Sequence, residues 1–421
     1  MLILTKLVAL WKEVYIGQTF GIGIVLDAYF IAHSVSLILP SVIVAIIPSL
    51  LIPIFISDKN SRYLRSLWGQ LILLSLLIGL LNGIALLFFY ENISSIYKTE
   101  GNLLTTELLE RFIRYFSIIP VFTILIAVFS SFLIANKKNI NSVIEIVPNF
   151  TIVAVVYYFS GIFFEDSLIA GTILGVFFQA VCLLSLCVFR YDVKFDFTIS
   201  GASAGPVIGL AQGAAILFIG QLFMSLSGPI DNKFAVEFGE GSVAAYNYSM
   251  RLIGIGISLI SVMVIRVILP RFSELENGND SKELGKEVIV YSMLAFMAAA
   301  IVCLMAVPFL NSFISFVFKG GELTPDTLGI VSNLTTVGLL QVPFFAASLI
   351  IVQSFIVKKM YNLIAIFAIT NLIVKYVSNA FLIELFGLDG LMYSWAVMYL
   401  WSFFSLYAYY HLKIKESITN V

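Results

Sequence analysis

Apolar runs of about twenty residues or more follow one another along almost the whole of this 421-residue chain, broken only by short charged or Gly/Asn-rich segments. That continuity constrains the fold more than any motif. With 60% hydrophobic and 12% charged residues and a mean hydropathy of +1.02, the chain is far from a soluble domain, which is about half apolar and about a quarter charged. Lipid is the only solvent that suits so much apolar surface. Outer-membrane barrels alternate in hydrophobicity and these runs do not, so the expected fold class is all-α and polytopic.

The runs lie at about 2–20, 26–56, 67–90, 111–135, 141–163 and 167–189, then about 205–231, 242–270, 288–316, 326–357, 361–383 and 389–411. They predict about twelve transmembrane helices. The second, eighth and tenth are too long to cross straight, and Pro40, Pro48 and Pro343 offer places to kink. The first run carries Lys6, Lys12 and Glu13 and reads as a retained helix rather than a cleaved signal peptide. With the amino terminus placed in the cytoplasm, fourteen Lys and Arg fall on the cytoplasmic side of the breaks and three, Lys98, Lys233 and Lys319, on the other. This positive-inside bias puts both termini in the cytoplasm.

The chain also repeats itself. Phe20-Gly21-Ile22-Gly23 with Ala28-Tyr29 answers Phe238-Gly239-Glu240-Gly241 with Ala245-Tyr246. Pro53-Ile54-Phe55 answers Pro270-Arg271-Phe272, Pro120 with Ser131-Phe132 answers Pro343 with Ser354-Phe355, and Lys137-Lys138 answers Lys358-Lys359. Every offset lies between 217 and 223 residues, which marks a tandem duplication. Six spans per copy make two parallel six-helix bundles related by a pseudo-two-fold axis along the membrane normal, with a V-shaped central cavity between them. The expected organisation is an N-terminal lobe over 1–190, a cytoplasmic linker over 191–204 and a C-terminal lobe over 205–421.

Composition narrows the function. A net charge of −1 argues against a nucleic-acid partner. No P-loop, HExxH or GxSxG is present, so no enzyme and no cofactor are expected. His33 and His411 are isolated, and Cys182, Cys187 and Cys303 read as apolar thiols, so no metal site is expected either. Gly205, Gly209 and Gly213 read as a helix-packing stripe.

Ionisable residues inside spans are the informative ones, because each costs a few kcal/mol at mid-bilayer unless it faces a cavity or a partner. Lys12, Arg251 and Lys375 sit well inside their spans and come from both lobes; Asp27 and Asp231 lie near outer ends, and Lys6, Glu13 and Glu145 complete the set. Arg111 and Arg114, beside Glu107 and Glu110, read as surface pairs at helical spacing, and Lys6 and Arg266 as side chains reaching for the interface. The three residues well inside their spans, Lys12, Arg251 and Lys375, are all cations, which suits an anionic head group such as a diphosphate, with Arg as a fork and Lys as a point charge. Lys12, Asp27, Arg251 and Lys375 are the candidate cavity residues, with Lys6, Glu13 and Asp231 as weaker candidates.

Phe20-Gly21-Ile22-Gly23, Asp27-Ala28-Tyr29-Phe30-Ile31-Ala32 and Ile52-Pro53-Ile54-Phe55 together resemble the opening signature of the MurJ/MviN lipid-flippase family, within the multidrug/oligosaccharidyl-lipid/polysaccharide exporter superfamily. Gly239-Glu240-Gly241-Ser242-Val243, Tyr246-Asn247-Tyr248-Ser249-Met250-Arg251-Leu252 and Ile268-Leu269-Pro270-Arg271-Phe272-Ser273 resemble its most recognisable stretch, and Phe318-Lys319-Gly320-Gly321-Glu322-Leu323-Thr324 its loop after helix nine. The resemblance implies a flippase in the bacterial inner membrane that carries undecaprenyl-diphosphate-linked saccharides from the cytoplasmic to the periplasmic face. By it, Asp27 matches the acid opening helix two, Arg251 the arginine of helix eight, Lys12 and Lys6 basic positions of helix one, and Glu13 an acidic one. Two departures matter: Leu39, Pro40 and Ser41 stand where the family carries arginines, and the family has fourteen spans. They turn the expected cargo toward O-antigen or exopolysaccharide units, handed between glycosyltransferases and a polymerase, with lipid II as the alternative. A multidrug or cation antiporter of the same superfamily, which would need acidic residues in the site, and a non-transporting scaffold are the competing classes.

Overall fold

A bilayer interior offers the backbone no water, so each spanning segment must close its hydrogen bonds within itself. The computed structural model describes residues 2–57, 61–98, 103–136, 140–191, 217–278 and 280–419, and all regular structure in them is helical. The first run becomes α1 (Leu2–Phe20). The second is shared by α2 (Ile24–Ser36) and α3 (Ile38–Ser57), the third is α4 (Ser61–Ile96), and the fourth is α5 (Leu103–Phe116) with α6 (Ile119–Ala135). A short α7 (Ile140–Ile144) leads into α8 (Val147–Ser185). Of the seventh run, residues 217–225 and α9 (Ser227–Ala235) are described and helical. The eighth is α10 (Ser242–Met263), a π-helical turn (Val264–Ile268) and α11 (Leu269–Asn277). Then come α12 (Ser281–Val317), α13 (Pro325–Gly338) with α14 (Gln341–Val357), α15 (Tyr361–Phe386) and α16 (Asp389–Thr419).

Among the described residues five helices are long and apolar enough to cross a membrane, and three bent pairs raise this to eight. The other four expected runs are α1 with its internal charges, one arm of α8, the partly described seventh run, and α16, whose serines and tyrosines lower its apolarity. α8 is really a hairpin. Phe163 leaves the helical region (φ −126°, ψ 42°), and beyond it the chain doubles back. A Cβ placed on Gly171 would stand 3.1 Å from the Ile152 Cα, and one on Gly175 2.9 Å from the Pro148 Cα. Four residues forward on one arm match four residues back on the other, so the arms run antiparallel and glycine lets them close up.

The bends have a covalent cause. The three broken pairs turn by 48° between α2 and α3, 43° between α5 and α6, and 41° between α13 and α14. Pro40, Pro120 and Pro343 sit just past the breaks, and a proline leaves the carbonyl four residues earlier without its donor. Pro270 likewise follows the π-helical turn. Pro48, a further expected kink, is absorbed inside α3 without a break.

Two compact units result: Met1–Val236 with Gly320–Glu322, and Glu237–Lys319 with Leu323–Val421. All but the first residue of the expected linker 191–204 and the stripe Gly205, Gly209 and Gly213 lie outside the described residues. Within the first unit α2 packs on α5, α3 and α4 on α6, and α6 on α8. Within the second, α10 packs on α13, α11 and α12 on α14, and α14 on α16. These are the same pairings, shifted by one copy of the repeat. Trp68, Phe129, Leu133 and Leu183 anchor one core, and Phe272, Ile351, Phe355 and Leu406 the other.

Candidate functional site

In the first unit the charges begin on α1. Lys12 Nζ lies 2.6 Å from Glu13 Oε1, with both side chains under a tenth exposed. Neighbours on a helix do not face each other, so the long lysine stem must turn along the surface to make this pair. Lys12 also lies within electrostatic reach of His33 on α2, whose ring stacks on Tyr29 at 5.6 Å. Burying two charges costs several kcal/mol per ion before their attraction offsets it, so such a pair is weak evidence of stability.

The chain leaves α1 through Gly21, whose φ of +69° is open to glycine and costly for other residues. The Glu322 N–H donates to the freed Gln18 carbonyl at 2.9 Å, which explains the paired glycines of the 318–324 segment: Gly320 (φ +108°) and Gly321 (φ +65°) steer that amide onto the helix end. Asp27 follows in the first turn of α2, 3% exposed, where the positive end of the helix dipole favours a carboxylate. Asp231 is fully buried on α9, and the next residue, Asn232, donates to Ser34 Oγ on α2 at 3.0 Å. Lys6 is partly buried and acts electrostatically on Glu145.

In the second unit Arg251 stands partly buried near the middle of α10. Around it Ser249 Oγ donates to the Val331 carbonyl at 3.1 Å and Trp395 Nε1 to Tyr246 Oη at 2.8 Å, fixing α10 against α13 and α16. Lys375 is fully buried and turned into the seam between α15 and α16. It donates to Ser394 Oγ at 2.6 Å and Asn379 Oδ1 at 2.9 Å.

Several expectations change. Arg111 does not pair along its own helix: it bridges to Glu165, at 3.2 Å, and to Asp166 in the second arm of α8. Arg114 lies over the Tyr90 ring at 5.1 Å, and Glu110 accepts from Ser94 at 2.9 Å. Asn149 donates to the backbone carbonyl of Glu145 and Asn141 to its carboxylate, at 3.3 and 3.4 Å. Arg266 is exposed, Cys187 is buried, and Cys182 and Cys303 are half-buried. His411 stands inside α16, which runs on to Thr419. The closeness of buried Tyr29 to the Thr172 side chain and the partners of Lys375 escaped the sequence reading. The repeated Ala-Tyr pair and the i, i+4 spacing of Asn371, Lys375 and Asn379 were the available signals. No group of His, Cys, Asp or Glu able to hold a metal ion occurs among the described residues.

A family model described as lipid II flippase MurJ matches residues 16–419. The chain belongs to the MurJ family. Family and fold are those of multi-pass membrane transporters, not of enzymes. A probable lipid II flippase MurJ of Bdellovibrio bacteriovorus is 25% identical over 238 residues, which is 55% of this chain and 44% of that relative. The matched stretch thus spans under half of that MurJ protein. Among solved structures, a lipid II flippase MurJ in an inward closed conformation superimposes with a TM-score of 0.77 at 19% identity, covering 96% of this chain and 86% of the other. An inward-facing multidrug resistance MATE transporter of the MOP superfamily superimposes with a TM-score of 0.81 at 14% identity, covering 98% and 95%. Fold alone therefore does not separate MurJ-like from MATE-like cargo.

Proposed function

We propose that this chain flips undecaprenyl-diphosphate-linked saccharides across the bacterial inner membrane, from the cytoplasmic to the periplasmic face. The observation that carries the reading is charge retained inside apolar helices: Lys12, Glu13, Asp27 and Asp231 are each under a tenth exposed, with Arg251 half-buried on α10. Lipid-spanning helices keep such groups where a polar cargo or a partner offsets their cost. The diphosphate would be held by Arg251 and Lys12, while the polyprenyl tail stays in lipid. Lys6, Glu13, Asp27 and Asp231 would line the same path.

Lipid II is the cargo for which the family speaks. The neutral segment Leu39-Pro40-Ser41, where the family resemblance leads one to expect arginines, favours O-antigen or exopolysaccharide units instead, supplied by glycosyltransferases and consumed by a polymerase. A test is complementation: the chain should restore growth to cells depleted of their lipid II flippase, or surface polysaccharide to cells lacking that exporter. Rescue of neither, with the protein present in the membrane, overturns the proposal. Reporter fusions at Glu165 and Asp389 should read periplasm, and at Asn60 and Lys359 cytoplasm; one reversed reading breaks the orientation.

A further inference from the structure

An imidazole inside an apolar helix needs a reason to be there, and packing does not supply one for His33. Its ring stacks on Tyr29, one turn earlier on α2, at 5.6 Å, and meets the edge of Phe116 of α5 at 6.3 Å. Both aromatic neighbours are buried, and His33 itself is half-buried. Among the described residues neither of its ring nitrogens makes a hydrogen bond. An unpaired polar ring in a span costs free energy that a phenylalanine in the same stack would not. The repeat sharpens the point: Tyr29 answers Tyr246, whereas His33 answers Met250, 217 residues on. Apart from Tyr29, Asp27 and His33 are the ionisable side chains between Ile24 and Ser57. Lys12 of α1 lies within electrostatic reach of the ring, and Glu13 already offsets that lysine at 2.6 Å. Of the helices packed on α2, α9 carries Asp231 and Lys233 and α3 carries no charge. On α5, Glu110 and Arg111 are engaged with Ser94 and with the α8 carboxylates, while Glu107 and Arg114 are exposed.

We propose that His33 is a further contact for the cargo's diphosphate, and a cation only while the cargo is bound. With Lys12 offset by Glu13, the first unit offers two phosphate charges little net positive charge until another group ionises, and an imidazole is the side chain suited to do so near neutral pH. A diphosphate held by Lys12 comes close to His33 as well; its charge favours the imidazolium, so the ring takes up one proton from water and returns it when the cargo leaves. The inference rests on the diphosphate reading above and is the same for either saccharide.

The experiment measures binding of a short-chain polyprenyl-diphosphate-linked monosaccharide to the purified full-length chain between about pH 5.5 and about pH 8.5, on either side of the ordinary histidine value of about 6.5. Both phosphates of this probe are diesters, so its own charge is constant over the range. Because the probe favours the protonated ring, affinity should be highest at the acid end and fall about tenfold as the pH rises, which corresponds to one pH unit of linkage. His411→Gln, which removes the chain's other histidine, should keep that slope. His33→Gln should bind at the native alkaline level at every pH, and His33→Lys, a fixed cation, at the native acid level at every pH. A native affinity that does not change with pH, or a His33 variant that keeps the native slope, overturns the proposal: His33 then only packs on Tyr29, and the flippase reading stands. If His33→Gln does not accumulate, His33→Lys decides by the same criterion. No binding of the probe by the native chain at any pH overturns the flippase reading, and this proposal with it.

Discussion

Tyr29 in the first unit and Tyr246 in the second stand 217 residues apart, and the side chains they face, Thr172 and Trp395, stand 223 apart. Both tyrosines are buried, and each ties the second helix of its copy to the sixth. Gly21 and Gly239, 218 apart, both take positive φ, and the bends before Pro120 and Pro343 agree within a few degrees. The charges do not repeat. Lys12 corresponds to Ile230, Asp27 to Ala244, Arg251 to Ser34 and Lys375 to Ile152; only Glu13 meets another acid, Asp231. A charge needed merely to hold six helices together would be needed in both copies. Its presence in one copy supports the role proposed above for Lys12, Asp27 and Arg251.

Substitutions can break or sharpen this contrast between repeated scaffold and unrepeated charge. The largest effect is expected at Arg251. Arg251→Ala should abolish transport and Arg251→Lys impair it, both at normal membrane abundance, measured as surface polysaccharide or viability per molecule of protein. Next is Lys12. Lys12→Met leaves Glu13 buried without this partner and should destabilise by roughly 3–5 kcal/mol, while Lys12→Met with Glu13→Gln should restore abundance but not activity. Chemical denaturation and immunoblotting separate the two outcomes. Tyr29→Phe and Tyr246→Phe should each lose about 1 kcal/mol, by similar amounts, because each removes a buried hydroxyl that faces a polar side chain, Thr172 or Trp395, at corresponding positions. A large disparity between them would argue against equivalent scaffolds. The smallest effect is expected at Gly239→Ala, about 1 kcal/mol from backbone strain alone, since nothing lies within 4 Å of the added methyl. Gly21→Ala should cost more, because its methyl would meet the Glu322 Cβ at 3.3 Å.

Much of the scaffold was legible in the sequence. Spans follow from unbroken apolar runs, and the duplication from offsets that no single motif would reveal. The kinks at Pro40 and Pro343 were also visible, because a missing N–H is a covalent fact. Pro48 shows the limit: whether a helix breaks at a proline or absorbs it is decided by what packs there. Arg111 makes the same point for charge. Helical spacing directed it to Glu107, but the doubling back of α8 at Phe163 brought Glu165 and Asp166 closer, and chain reversal is a tertiary event. For Lys375 the sequence exposed the i, i+4 neighbour Asn371, yet Ser394 and Trp395 reach it only because α15 lies on α16.

The most direct test of the central claim, that unrepeated cations handle an anionic lipid-linked head group, is translocation in proteoliposomes holding the purified full-length chain. An undecaprenyl-diphosphate-linked saccharide and a cationic dye are offered in parallel, to the native protein and to Arg251→Ala. The account predicts translocation of the lipid-linked saccharide by the native protein, little or none by Arg251→Ala, and no dye transport by either. Dye transport by the native protein, or full saccharide translocation by Arg251→Ala, would contradict it.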